Sequence, residues 1–138
     1  MNSPPAGTRT RESGAQKPTV PVRYGGGADQ AGHAHLELME AGDGAGQGEL
    51  AARGALTFIT ARAARELGLA AIRGATASAL HIDCSAISAS DSAGMSVLLD
   101  WLAGAVHAQR SLHFRNLPAQ VQAIAKISDV LELLERGV

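Results

Sequence analysis

The clearest pattern in this 138-residue chain lies in residues 80–99. Leu80, Ile82 and Cys84 alternate with His81 and Asp83, which is the period of a half-buried strand. Residues 88–92 (SASDS) then gather short polar side chains that compete with backbone hydrogen bonding and cap helix N-termini, so they predict a turn and a helix start. At about 100° per residue, Met95, Leu98, Leu99, Leu102 and Val106 share one narrow face of the helix that follows.

The flanking segments repeat the theme. Leu36 and Leu38 open an alternating run, residues 42–48 form a glycine-rich turn, and residues 49–59 carry Leu50, Leu56, Phe58 and Ile59 as apolar members of a second strand. Thr60 is placed to cap a helix on which Ala63, Ala64, Leu67 and Ala71 recur at helical spacing. Residues 111–115 alternate again, and Pro118 suits the first turn of a helix with Val121, Ile124, Ala125, Ile127 and Leu131 on its apolar side. Residues 131–134 either continue that helix or form a short terminal element. The order β-β-α-β-α-β-α predicts an α/β domain: a mixed sheet of about four strands with helices packed on it.

Composition narrows the class. Apolar residues make up 46% of the chain and aromatics only 3%, so the core is built from Ala, Val, Leu and Ile. The length suits one domain, expected over residues 34–138. Residues 1–33 hold Pro4, Pro5, Pro18, Pro21 and the triplet Gly25, Gly26 and Gly27 without a hydrophobic period, and are expected to be a flexible tail. A net charge of -1 with scattered Lys and Arg lacks the basic cluster of a nucleic-acid binder. No apolar run approaches the roughly 18 residues of a membrane span, so a cytoplasmic protein without direct membrane insertion is expected. The lone Cys84 excludes an internal disulfide and, in its apolar run, reads as a small buried hydrophobe.

Chemistry finds little support. Ser92 on a strand-turn-helix is compared with the nucleophile elbow G-x-S-x-G, but Ser90 replaces the first glycine and no triad arrangement of Asp100, His107, His113 and Asp129 is evident. His33 and His35 lack a third metal ligand, and no phosphate-binding glycine loop occurs. The sequence therefore points to neither an enzyme, a cofactor nor a metal.

Residues 80–99, LHIDCSAISASDSAGMSVLL, resemble the signature of STAS domains: a strand ending in Asp, a short turn, then Asp-Ser/Thr-x-Gly opening an apolar helix. LHFRNLPAQVQAIAKISDV is similar to the family's later half, so the resemblance spans roughly residues 36–138. In the anti-sigma factor antagonist branch, the residue before the motif glycine is usually a phosphorylatable Ser or Thr. Here it is Ala93, and the hydroxyl lies one place earlier at Ser92, as in MlaB-type STAS subunits of Mla phospholipid-transport ABC complexes.

That resemblance implies a subunit peripheral to the inner membrane. It would bind the ABC ATPase, and through it the permease, of an assembly that maintains outer-membrane lipid asymmetry. The alternative is an anti-sigma factor antagonist phosphorylated at Ser92. Asp91 and Ser92 read either as helix caps alone or as caps that also meet the partner, and Gly94 as a place of close backbone approach. Val97 and Trp101, on a second helix face, are expected to join Asp91, Ser92 and Gly94 in the docking surface, Trp101 as its aromatic anchor. The opposing expectation is that a C-terminal segment covers Trp101.

Overall fold

The computed structural model describes residues 22–23, 34–41 and 48–138. Its elements are β1 (Val22–Arg23), β2 (Leu36–Glu40), β3 (Glu49–Leu56), α1 (Ala61–Gly74), β4 (Ala79–Ser90), α2 (Ser92–His107), β5 (Ser111–Arg115), α3 (Ala119–Ile127) and α4 (Leu131–Arg136). The strands form one mixed sheet in chain order. β1 with β2 and β2 with β3 pair antiparallel, whereas β3, β4 and β5 run parallel, joined by the helical crossovers α1 and α2. Two right-handed crossovers stepping in one direction put both helices on the same face, and α1 and α2 pack on each other there.

The predicted α/β architecture is therefore present, with the two-residue β1 added at the edge. That strand lies inside the stretch read as a tail and pairs Val22 with Leu38. The rest of that stretch and most of the glycine-rich turn lie outside the described residues.

Alternation places the core. Leu36, Leu38, Leu80, Ile82, Cys84, Leu112 and Phe114 turn to the helices and are buried. Their neighbours His81, Asp83 and His113 face the other way on the open side of the sheet. There His81 and His113 stack with ring centroids 5.4 Å apart, and Arg115 pairs with Glu49 at 2.9 Å. The Asp83 carboxyl is held below its ordinary value, first by the Asn116 side chain that donates to it at 3.0 Å and then by the Ser85 amide.

Several local expectations are corrected. β4 runs through residues 88–90, where a turn was expected. Ala89 and Ser90 pair with Ala55 and Leu56, and the Ser90 amide donates to Gln120 Oε1 at 3.2 Å, so sheet pairing overrides the capping preference of serine. Thr60 does occupy the N-cap of α1, but its hydroxyl makes no cap bond and donates backward to Ala55 O at 3.0 Å. The buried face of α1 is Ala64, Leu67, Gly68 and Ile72. Ile127, placed on the core side of α3 by spacing, is 87% exposed because it ends that helix. Val106 is also exposed. α2 packs on the sheet, on α1 and on α3, and the contact with α1 turns its buried arc toward Val97, Trp101 and Ala105. Residues 131–136 form a helix of their own after a turn at Asp129, whose φ is 64°.

Candidate functional site

Because β3 and β4 are parallel neighbours, the loops leaving them lie side by side at the carboxyl edge of the sheet, where α/β folds place their binding residues. Asp91 joins the two. It is the N-cap of α2, with one carboxylate oxygen accepting from the Gly94 amide at 3.0 Å. The other accepts from the Phe58 amide at 3.1 Å, across from the β3–α1 loop. One side chain thus satisfies a helix-terminal donor and a loop donor together.

That loop is also fixed from within. The Thr57 amide donates to Thr60 Oγ1 at 3.0 Å, the Ile59 amide to Thr57 Oγ1 at 3.3 Å, and the Thr60 amide to Thr57 O at 3.0 Å. Thr60, 4% exposed, anchors the loop in the core. Between the threonines, Phe58 and Ile59 are 74% and 68% exposed. Water-facing apolar side chains on a loop this restrained are not the product of fraying.

Ser92 is exposed at the first position of α2. Its carbonyl accepts from Ser96 Oγ at 3.1 Å, and among the described residues its hydroxyl has no hydrogen-bond partner. The hydroxyl faces solvent.

Gly94 is explained by the fold. It is buried, and a Cβ there would lie 2.0 Å from Leu56 O, so the start of α2 rests directly on the end of β3. This is the close approach expected of it, made by the chain's own backbone.

Val97 and Trp101 correct the expected surface. Val97 is 3% exposed and Trp101 0%. The indole lies between α1 and α2, donates from Nε1 to Ala64 O at 3.2 Å, and packs so closely on Gly68 that a Cβ there would come within 2.0 Å of Cε2. Neither a partner nor a C-terminal segment covers it; α1 does. Arg65 and Asp100 pair at 3.0 Å across the same two helices. Of the five residues expected to form the surface, Gly94, Val97 and Trp101 are buried, and only Asp91, half-buried, and Ser92, exposed, reach solvent.

Sequence reasoning missed Phe58 and Ile59 by reading them as the end of a strand. The signal was present: adjacent residues of a strand point to opposite faces, so a half-buried strand cannot bury both.

Other side chains bear on chemistry. Cys84 is buried, and desolvation first, then the Asp83 charge, pushes its thiol up to about 12. His35 Nε2 lies 3.4 Å from Glu37 Oε2, while His33 lies outside the described residues. Among the described residues, no three His, Cys, Asp or Glu are grouped to hold a metal, and no helix is long and apolar enough to cross a membrane.

Residues 40–135 match a protein-family model described as the MlaB STAS domain. A search of curated proteins finds no match. The match takes in β3, both loops at the carboxyl edge, and all four helices but the last residue of α4. The motif, the sheet order and this span agree, and the chain belongs to the MlaB-type STAS domain family.

Proposed function

We propose that this STAS domain is a non-catalytic docking subunit that binds the ATPase of an Mla-type phospholipid-transport ABC complex and supports its assembly. The observation that carries the reading is Ser92: an exposed hydroxyl on a rigid helix start, followed by Ala93, in a domain whose family model is described by MlaB. No cofactor enters the reading, and ATP hydrolysis belongs to the partner. The protein works in the cytoplasm, held at the inner membrane through the ATPase and its permease.

The test is co-expression of the tagged full chain with the ABC ATPase and permease of the same genome. Recovery of the ATPase with the wild type and its loss with Ser92→Arg is expected, with unchanged circular dichroism because Ser92 is exposed. Failure of the wild type to retain the ATPase overturns the reading.

The accessible Ser92 hydroxyl also favours a second reading, an anti-sigma factor antagonist switched by phosphorylation. A phosphate there sits well at the positive end of α2 and acts by blocking the surface with charge rather than by melting the helix. Intact-mass detection of a stoichiometric phosphate on Ser92 after incubation with a cognate kinase supports that alternative.

A further inference from the structure

We propose that Phe58 and Ile59 are the apolar anchor of the docking surface and seat in an apolar pocket of the partner ATPase, with Asp91 as the positioning residue that holds them beside Ser92. The inference rests on the docking reading above and names the contact it uses.

Three observations carry it. Phe58 and Ile59 are two of the four large apolar side chains left exposed among the described residues, and they are consecutive. Their loop is held by Thr57, Thr60 and Asp91 through backbone amides and carbonyls, so docking immobilises little that is not already fixed. Through Asp91 the same loop is tied to the start of α2, which makes the apolar pair and the Ser92 hydroxyl parts of one rigid patch. An aromatic and an aliphatic side chain bordered by polar groups is the layout of an interface centre and rim. A protein pocket is favoured over a bilayer, because a fixed shape matters to a pocket and not to lipid, and the Asp91 carboxylate beside the pair disfavours an anionic membrane surface.

The experiment uses the full chain with the ABC ATPase of the same genome and compares the wild type, Phe58→Ser with Ile59→Ser, and Asp91→Asn. The double variant is expected to keep its circular dichroism and melting temperature and to weaken ATPase binding by at least ~30-fold. Asp91→Asn is expected to weaken it less and to speed hydrogen exchange of the Phe58 amide, which a change confined to the Ser92 contact does not do. If the wild type retains the ATPase and the double variant binds equally well, the inference fails while the docking reading stands. If the wild type does not bind the ATPase, both fail. Two further results overturn the inference: loss of flotation with phosphatidylethanolamine/phosphatidylglycerol vesicles, or loss of a wild-type dimer in sedimentation, in a double variant whose ATPase binding persists.

Discussion

Replacing Trp101 by alanine removes the largest fully buried side chain among the described residues, together with the indole N–H that donates to Ala64 O at 3.2 Å. Truncation of a buried Trp typically costs about 3–5 kcal/mol, the upper part of that range applying where the surroundings cannot close over the cavity. Here one wall of the site is Gly68, which has no side chain to swing into the space. A cost of about 4–5 kcal/mol is expected, out of a total stability on the order of 5–15 kcal/mol for a domain of this kind. With a urea m-value of about 1–2 kcal/mol/M, the midpoint falls by at least ~2 M. Far-UV circular dichroism is the suitable probe, because the substitution removes the only tryptophan. Trp101→Phe keeps most of the volume, is expected to lose about 1–2 kcal/mol, and should still bind the partner. Native emission from Trp101 should be blue-shifted and resist acrylamide. An unchanged urea midpoint in Trp101→Ala, or freely quenched emission in the wild type, would refute the buried placement and restore the indole as a surface anchor.

Two glycines on α2 should respond to alanine with losses of very different size. At Gly94 the new methyl meets the backbone carbonyl of Leu56 at 2.0 Å and is strongly destabilising, whereas at Gly104 it meets only the mobile Cδ2 of Leu69 at 2.4 Å and costs far less, as paired thermal melts will show. Cys84, with its thiol raised to about 12, stays protonated at pH 8 and should react with an aromatic disulfide reagent only after denaturant is added. Asp83 has a folded pKa below its ordinary 3.8, so its contribution is fully present above that value and is lost as pH falls through the lower, folded one. Asn116 has φ 57°, and Asn116→Gly removes the donor while permitting that backbone. The stability gap between wild type and Asn116→Gly in urea titrations should therefore narrow below about pH 4.

The sheet was legible because its strands alternate. Leu80, Ile82 and Cys84, then Leu112 and Phe114, are buried as their period requires. The Asp91 cap was legible for a similar reason, since a short acceptor before an apolar run has a fixed backbone role. Val97 and Trp101 were misread because α2 carries two apolar faces. Its main helical neighbour, α1, meets it through Ala64 and Gly68, residues too small to register as an apolar stripe. Phe58 and Ile59 failed in the opposite direction: they read as the last apolar members of the strand over residues 49–59, whereas the strand ends at Leu56 and the threonine bonds show the chain turning away. In both cases the deciding fact is which element lies opposite, which no periodicity within one segment encodes.

The way Asp91 grips the neighbouring loop has a consequence for how such a surface diversifies. Its carboxylate takes hold of the Phe58 main-chain amide, and Thr60 likewise bonds to main-chain groups, so the fastening does not depend on which side chains stand at positions 58 and 59. Those two positions are free to change identity while the scaffold beneath keeps its shape. Recognition and folding are thereby assigned to different atoms of the same residues, and a new partner can be accommodated at the tip without renegotiating the core.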